Sequence, residues 1–295
     1  MTLREAVDAA RARLVAAGFA PGDAAIDARV LAGEAFGLDR TALVVRGDEP
    51  ADTAGAARLD AFVDRRRTRE PVAYILGRKE FYGRDFLVSP AVLVPRPETE
   101  LIVEAALARF SREDAIGILD VGTGSGCLAV TLALEFPRAR VSATDISAAA
   151  LDMARENARR HGVLPRIAFQ QVAFAADVEL VDLLVSNPPY AATSDAATIP
   201  ADVLDFEPHV ALFGGADGLD VIRPLIGVAA DVLAQPGQAA TSPAGGWLLL
   251  ECGMGQAGTI ERLLAATGCF TAIETIPDLQ GIPRTVTARR MASPR

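Results

Sequence analysis

The sequence predicts a doubly wound α/β catalytic domain that follows a small helical domain. Three observations support this fold class. From Ile116 onward, short apolar runs alternate with longer stretches of helical spacing, which is typical of a parallel sheet covered by helices on both faces. In the first 70 positions, apolar residues instead recur at helical intervals. Between the two regions, aromatic and β-branched residues surround turn signals, which indicates a hairpin.

Glycine and proline residues interrupt the helical spacing of the first part and mark the helix ends there. The hairpin segment, EFYGRDFLVSPAVLVP, begins at Glu80 and turns near Gly83. We therefore predict helices over residues 3–17, 23–36 and 52–68, and a division into an N-terminal helical domain (1–78), a linker β-hairpin (79–95) and a catalytic domain (96–295).

The catalytic part contains six clear strand patterns, each a short apolar run bounded by turn residues. They are IGILDV, ARVSATD, VDLLVS, GWLLLE and two closing strands around CFTAIETI and RTVTAR. Helices are expected from Gly126, from Ser147, near 217–234 and near 256–266. The small residues and prolines of QPGQAATSPAGG, residues 235–246, predict a mobile loop.

Composition and charge exclude several classes of function. The net charge is −9, and residues 1–89 hold 14 basic and 14 acidic residues against 15 and 24 in the remainder. An acidic catalytic part is a poor match for a protein that grips phosphates, so we expect no stable nucleic-acid binding. No apolar run reaches the roughly 18 to 20 residues that span a bilayer, and the N-terminus lacks a signal pattern. We therefore expect a cytoplasmic protein without membrane contact.

The cysteines and histidines argue against metal and nucleophilic chemistry. Cys127, Cys252 and Cys269 are far apart in apolar segments, which fits neither a disulfide framework nor a zinc cluster, so we expect buried, reduced thiols. His161 and His209 have no partner at metal-ligand or triad spacing. The sequence therefore predicts no metal site.

A glycine-rich turn follows the first strand of the catalytic part. ILDV runs directly into Gly122-Thr123-Gly124-Ser125-Gly126, where alternate glycines let the backbone approach a ligand closely. The GxGxG spacing differs from the GxGxxG of dinucleotide sites and favours a nucleoside without a pyrophosphate. Asp145 ends the next strand, where a carboxylate can accept both ribose hydroxyls, and Asp120 lies near the aminoacyl end. A structural turn and a helix cap are the plainer alternatives.

Ser186-Asn187-Pro188-Pro189-Tyr190 follows the strand VDLLV and therefore lies at the ligand-binding edge of the sheet. The two prolines remove amide donors, so the loop offers acceptors. An amide-type nitrogen is a poor nucleophile, and acceptors such as the Asn187 side-chain oxygen and the Pro188 carbonyl can hold its hydrogens while its lone pair turns to a methyl donor. Tyr190 can stack on the planar group. A tight turn around a packed tyrosine is the alternative.

Together these residues resemble the HemK/PrmC family of protein-glutamine N5-methyltransferases over nearly the whole chain. The family's hairpin and PRPETE signature are similar to EPVAYILGRKEFYGRDFLVSPAVLVPRPETE, which ends at Glu100. The loop NPPY follows the fourth strand, as it does in the family. The closing pattern also fits, with Glu251-Cys252-Gly253, Gln256, Asp278, Gly281 and Arg284.

The resemblance implies a class I methyltransferase fold with a mostly parallel seven-stranded sheet. It also implies methylation of the glutamine in the GGQ motif of peptide chain release factors 1 and 2, with the helical domain contacting the release factor. S-adenosyl-L-methionine is then the cofactor and S-adenosyl-L-homocysteine the product. The implied cofactor residues are Gly122, Thr123, Gly124, Ser125, Gly126, Asp145, Ala173 and Asn187; the implied substrate residues are Asn187, Pro188, Pro189 and Tyr190, of which Asn187, Pro188 and Tyr190 act in catalysis.

Three segments have a second interpretation. Val172 occupies the place of an acidic residue that the family often has near adenine, so adenine recognition rests on the backbone near Ala173 and Phe174. The PRPETE residues also suit a helix start, because Pro97 fits a first turn and acidic residues favour its positive end. The arginine run of residues 65–67 with Arg69 suggests a solvated helix face more than an acidic or ribosomal RNA partner.

Two other functions remain open at this point. Exocyclic amines of adenine or guanine in DNA or RNA are also planar nitrogens that an NPPY loop can hold, although the chain has no evident base-flipping segment with interleaved basic and aromatic residues. A binding module that retains a methyltransferase fold is the other possibility. We expect a monomer.

Overall fold

The structure is a computed structural model that describes residues 1–176, 178–239 and 241–292. Ala240 of the predicted loop and residues 293–295 of the predicted catalytic domain lie outside the described residues. Contacts between Cα atoms divide the chain into two units. The helical unit comprises residues 1–78 and 200–206, and the catalytic unit comprises residues 79–199 and 207–295.

Side-chain caps and a left-handed glycine set the limits of the N-terminal helices. Thr2 and Glu5 form a capping box, in which each side chain accepts a hydrogen bond from the other's backbone N–H. Gly37 ends the second helix with φ of 66°, a conformation that glycine adopts without strain. The three predicted helices are confirmed, and two short ones are added. The helices are α1 (Leu3–Ala16), α2 (Pro21–Phe36), α3 (Arg40–Val45), α4 (Thr53–Arg67) and α5 (Val72–Leu76).

The predicted hairpin consists of β1 (Arg78–Phe81) and β2 (Arg84–Leu87). Tyr82 and Gly83 connect the strands with φ of 51° and 73°, as the two central residues of a type I′ turn require. The rings of Phe81 and Phe86 lie edge to face, 6.1 Å apart, and both are buried in the core of the catalytic unit. These contacts anchor the hairpin to the catalytic unit.

A seven-stranded sheet forms the centre of the catalytic unit and confirms the predicted fold class. Its strand order is β5-β4-β3-β6-β7-β9-β8, and only β9 runs against the others. The chain crosses from one side of β3 to the other between β5 and β6, so the carboxyl ends of β3 and β6 flank a switch point where ligands bind. The strands are β3 (Gly117–Val121), β4 (Arg140–Asp145), β5 (Ile167–Gln171), β6 (Leu183–Ser186), β7 (Trp247–Glu251), β8 (Phe270–Pro277) and β9 (Pro283–Arg290).

Helices cover both faces of this sheet, and each face has its own apolar core. Ile118 of β3 belongs to one core, whereas its neighbour Leu119 belongs to the other, as the alternation of side chains along a strand requires. The remaining helices of the chain are α6 (Glu100–Leu107), α7 (Cys127–Glu135), α8 (Ala148–Arg160), α9 (Ala201–Phe206), α10 (His209–Leu212), α11 (Ile222–Val232) and α12 (Ala257–Ala266).

Two details of the predicted elements need correction or qualification. The helix expected near residues 217–234 begins only at Ile222, because Gly215 and Gly218 have φ of 87° and 76°, which a right-handed helix does not allow. Residues 235–239 and 241–246 form a loop, as predicted. The Thr241 hydroxyl donates to Asp182 Oδ1 over 2.6 Å, which fixes that part of the loop to the sheet.

The arginine run does not form a uniformly solvated face, and that prediction is wrong for Arg66. Only 7% of Arg66 is exposed, and its guanidinium pairs with Asp27 of α2 at 2.7 Å and Asp202 of α9 at 3.3 Å. It also lies 4.5 Å from the centre of the Phe19 ring. Through these contacts, Arg66 links α9 to the other helices of its unit. Its guanidinium is therefore not available to a partner.

The three cysteines are free thiols, as expected, but only Cys252 is fully buried, since Cys127 and Cys269 are partly exposed. Across residues 1–176, 178–239 and 241–292, no helix is long and apolar enough to cross a membrane.

Candidate active site

A cavity of about 330 Å³ opens at the carboxyl ends of β3, β4 and β6. This volume lies at the lower end of the roughly 300 to 1,000 Å³ range of small-molecule sites. The predicted site residues that line it are Gly122, Thr123, Gly124, Ser125, Asp145, Ala173, Asn187, Pro188 and Pro189. The fold thus brings the glycine-rich turn and the NPPY loop to one cavity.

The glycine-rich turn needs glycine for two different reasons. Gly122 and Gly124 have φ of 73° and 56°, and a Cβ at Gly122 would meet no atom within 4 Å, so the backbone conformation is what requires glycine at that position. Gly126 does not line the cavity. A Cβ there would lie 3.0 Å from the Cβ of Ala154, so Gly126 allows α7 and α8 to pack closely.

Asp120 is a buried carboxyl group beside the glycine-rich turn. Its Oδ2 accepts hydrogen bonds from the Thr123 hydroxyl at 2.6 Å and from the Ala129 N–H at 3.1 Å. Among the described residues, Oδ1 has no hydrogen-bond partner, although Asp120 lines the cavity. Burial raises the pKa of Asp120 to about 7. The unpartnered oxygen is an acceptor that a cationic ligand group can satisfy.

Asp145 holds two backbone segments together at the cavity. Its Oδ2 accepts from the Gly124 N–H and its Oδ1 from the Ser147 N–H, both at 2.9 Å. The N-cap of α8 is Ser147, whose hydroxyl accepts from the Ala150 N–H. Asp145 is therefore not the helix cap that the plainer interpretation of this position suggested. Its carboxylate stays half-buried at the cavity wall.

Ala173 and Phe174 line the cavity beyond β5, whereas Val172 does not. The Thr144 hydroxyl donates to the Phe174 carbonyl over 2.6 Å, which fixes the backbone at this wall. Backbone and apolar side chains therefore form this side of the cavity.

The NPPY loop begins where β6 ends. The Ser186 hydroxyl donates to the Val121 carbonyl over 2.7 Å, so the loop start is tied to β3. Asn187, Pro188 and Pro189 line the cavity, but Tyr190 is not among the residues that line it. The Tyr190 ring packs against the core on one face of the sheet, and its hydroxyl donates to Glu251 Oε1 over 3.2 Å.

A buried threonine, Thr99, connects Asn187 with the buried Glu251. The Asn187 Nδ2 donates to the Thr99 hydroxyl oxygen at 3.0 Å, and that hydroxyl donates to Glu251 Oε2 at 2.6 Å. Thr99 is 2% exposed and Glu251 is 1% exposed. Burial raises the pKa of Glu251 to about 7, and burial beside Glu251 raises the pKa of Tyr190 well above its usual value.

Comparisons with known proteins identify the family of this chain. Sequence profiles of the PrmC N-terminal domain and of the methyltransferase small domain match residues 5–77 and 99–204. The release factor glutamine methyltransferase of Koribacter versatilis is 41% identical over 296 residues, which cover 99% of this chain and 100% of that protein. The protein of the same name from Cereibacter sphaeroides is 42% identical over 294 residues, with coverage of 99% and 100%.

The chain belongs to the release factor glutamine methyltransferase family. The resemblance to HemK/PrmC proteins is thus confirmed. A solved methyltransferase structure from Pyrococcus furiosus has a TM-score of 0.54 and 18% identity, and covers 78% of this chain and 100% of that one. This likeness concerns the fold alone and agrees with the seven-stranded sheet.

In this family member, a second set of contacts holds the NPPY loop at Tyr190. The Gln256 Nε2 donates to the Tyr190 carbonyl at 2.9 Å, while its Oε1 accepts from the Gly253 N–H at 2.9 Å. A Cβ at Gly218 would lie 2.1 Å from the Tyr190 carbonyl oxygen, so only glycine fits there. The loop therefore has little freedom to change its conformation.

The sequence alone did not assign three residues to the site of this methyltransferase family member. They are Thr99, Arg96 and Glu207. Thr99 was assigned to a helix start, and it does follow Pro97 in a 3-10 turn before α6. Arg96 of the same segment pairs with the buried Glu207 at 2.5 Å, and Glu207 Oε2 also accepts from the Val94 N–H. The available signal was the unusual density of charged and proline residues in PRPETE.

Glu251 is expected to reduce the stability of this protein at neutral pH. Its pKa is about 7 when folded and near 4.5 otherwise, so the folded state binds the proton more tightly and stability falls as pH rises from 4.5 to 7. Glu251→Gln does not titrate, and its side-chain amide oxygen can accept the hydrogen bond that Thr99 donates to Glu251. The difference in unfolding free energy between variant and wild type should grow across this window by an amount on the order of 3 kcal/mol and then level off.

Thermal unfolding of both proteins from pH 4.5 to 8.5 measures this difference. Asp120 titrates in both proteins and cancels. A difference that stays constant across the window would contradict the assignment.

Proposed function

We propose that this protein transfers the methyl group of S-adenosyl-L-methionine to the side-chain amide nitrogen (N5) of the glutamine in the GGQ motif of peptide chain release factors 1 and 2. The observation that carries the proposal is the single cavity formed by the glycine-rich turn with Asp145 and by Asn187 with Pro188. The names of relatives that match the whole chain support the same reaction.

The residues around the cavity fit this cofactor. S-adenosyl-L-methionine supplies, when bound, a methyl group on a positively charged sulfur, and S-adenosyl-L-homocysteine is the product. Asp120 Oδ1 offers an unpartnered buried acceptor for an ammonium group, and the Asp145 carboxylate suits two ribose hydroxyls. Gly122 to Ser125 allow close backbone approach, and Ala173 and Phe174 form an apolar wall for the base.

The NPPY residues hold the methyl-accepting nitrogen in this proposal. The amide nitrogen is a poor nucleophile because its lone pair is delocalised into the carbonyl group. Asn187 Oδ1 and the Pro188 carbonyl oxygen accept hydrogen bonds from the two amide hydrogens. Neither proline has an N–H that could compete for these acceptors. Positioning of this kind contributes roughly 7 to 11 kcal/mol to catalysis when the reactants are aligned.

Pro189 and Tyr190 complete the proposed substrate site. Pro189 lines the cavity beside Pro188, and its fixed φ limits the loop. Tyr190 does not line the cavity, so it serves this site by fixing the loop and not by stacking on the planar amide group. Its hydroxyl donates to Glu251, and its carbonyl accepts from Gln256.

We assign release-factor binding to the helical domain of residues 1–78, followed by a linker hairpin of residues 79–95 and a catalytic domain of residues 96–295. The match of residues 5–77 to the PrmC N-terminal domain supports this division. We further propose that the protein acts as a monomer in the cytoplasm, where release factors work.

The test is methyl transfer to three kinds of acceptor in parallel. Purified release factors 1 and 2, DNA and RNA are incubated with the protein and S-adenosyl-L-methionine that carries a labelled methyl group. We expect label on both release factors and none on the nucleic acids. Label on DNA or RNA alone would replace the protein substrate with an exocyclic amine.

A further inference from the structure

The amide group of Asn187 can lie in the site in two orientations, related by a half turn of the side chain. One orientation directs Oδ1 to the cavity and the other directs Nδ2 there, and hydrogen-bond partners decide between them. Among the described residues, Asn187 Oδ1 accepts no hydrogen bond, while Nδ2 donates to Thr99 at 3.0 Å. The observed orientation therefore leaves the oxygen available to a substrate.

We propose that Thr99 and Glu251 are positioning residues that fix this orientation of the Asn187 amide, so that its oxygen faces the methyl-accepting group. The inference rests on the proposed function, since it concerns how the same site holds its substrate. Neither residue touches the reacting atoms in this account. They act through Asn187.

The order of donors and acceptors makes the network directional. In its ionised form Glu251 only accepts hydrogen bonds, and its two oxygens accept from the hydroxyls of Tyr190 and Thr99. A hydroxyl has a single hydrogen, so Thr99 has none left for Asn187 once it donates to Glu251. Its oxygen can then only accept, and the Asn187 group facing it must be the NH₂.

The reverse orientation is unsuitable for the proposed reaction. It places the Asn187 NH₂ opposite the NH₂ of a substrate amide, so two donors meet and neither hydrogen is accepted. Without the Glu251 carboxylate, the Thr99 hydrogen is free to bond Asn187 Oδ1 and to favour this orientation. Glu251 thus excludes the unproductive arrangement.

The network is built on ordered and buried parts of the catalytic unit. Thr99 lies in the turn Pro97–Thr99 directly before α6, and Glu251 is the last residue of β7. Both side chains are at most 2% exposed, so water does not compete for their hydrogen bonds. Buried partners on fixed elements are suited to orient a neighbouring group.

Thr99→Val tests the proposal because it removes the hydroxyl and keeps the shape of the side chain. We expect kcat for release-factor methylation to fall about tenfold, as the loss of one oriented hydrogen bond predicts, with KM and cofactor affinity almost unchanged. Thr99→Ser should restore the larger part of kcat. Thr131→Val is the matched control, because Thr131 is fully buried and its hydroxyl has no partner among the described residues.

Glu251→Met and Glu251→Gln provide a second pair in case Thr99→Val does not fold. Gln keeps an acceptor for Thr99 and Met does not, so kcat should fall further in Glu251→Met. Wild-type kcat in folded Thr99→Val, or equal losses in both Glu251 variants, overturns the positioning role. Wild-type protein that labels no release factor overturns the proposed function instead, and with it this inference.

Discussion

Asn187→Ala is expected to lower kcat for release-factor methylation roughly 10²- to 10³-fold, which is the usual cost of removing one preorganised polar group from an active site. The variant loses the acceptor that holds a substrate hydrogen. The affinity for S-adenosyl-L-methionine should change by no more than a few-fold, because the glycine-rich turn and the two aspartates supply most of the proposed contacts. Single-turnover kinetics and calorimetry on the same preparation measure the two effects separately.

That experiment is informative because it measures turnover and cofactor affinity separately. A variant that merely unfolds loses both, whereas a variant with an empty substrate site binds the cofactor and fails to transfer the methyl group. Equal activity of wild type and Asn187→Ala would contradict the assigned mechanism.

Asp145→Ala is expected to weaken the binding of S-adenosyl-L-methionine roughly 10- to 100-fold, because hydrogen bonds to a charged group contribute about 1.5 to 3 kcal/mol. The variant also loses the two backbone hydrogen bonds that tie Gly124 and Ser147 together. At saturating cofactor, kcat should recover to within a few-fold of wild type, since Asp145 is assigned to the ribose and not to the methyl group.

Asp152→Ala is the matched control for this change. Asp152 lies on α8, seven positions after Asp145 in the sequence, but its side chain is 77% exposed and, within the described part of the chain, pairs with Arg155 on the helix surface. Calorimetric titration should give an unchanged dissociation constant for Asp152→Ala. An equally unchanged value for Asp145→Ala would remove Asp145 from the cofactor site.

The glycine-rich turn and the NPPY loop could be located from sequence because both are local patterns. Each directly follows an apolar strand, and the carboxyl ends of neighbouring parallel strands meet at one edge of a sheet. The pairing of Ile118 with Leu183 and of Asp120 with Val185 then brings the two loops together.

The network behind Asn187 could not be located in this way. Thr99 and Glu251 are 152 positions apart, and only the packing of the turn before α6 against the end of β7 joins them. Arg66 was misjudged for the same reason. An arginine on a helix pattern is usually solvated, and its burial depends on Asp202 of α9, a helix far away in sequence.

The cap residue of α8 could not be assigned from the sequence either. Asp145 and Ser147 are both good cap residues, and sequence alone does not decide which of them caps α8. In the structure Ser147 takes the cap, which leaves the Asp145 carboxylate at the cavity. The geometry of these two positions thus distinguishes Asp145, a candidate site residue, from Ser147, a structural one.

The most direct measurement is transfer of a radiolabelled methyl group from S-adenosyl-L-methionine to purified release factor, with wild-type GGQ compared with a version in which its glutamine is replaced by alanine. We expect label on the wild-type factor, on the peptide that contains GGQ, and none on the alanine version. Equal labelling of both factors would show a different acceptor and contradict the assignment of the amide to the NPPY loop.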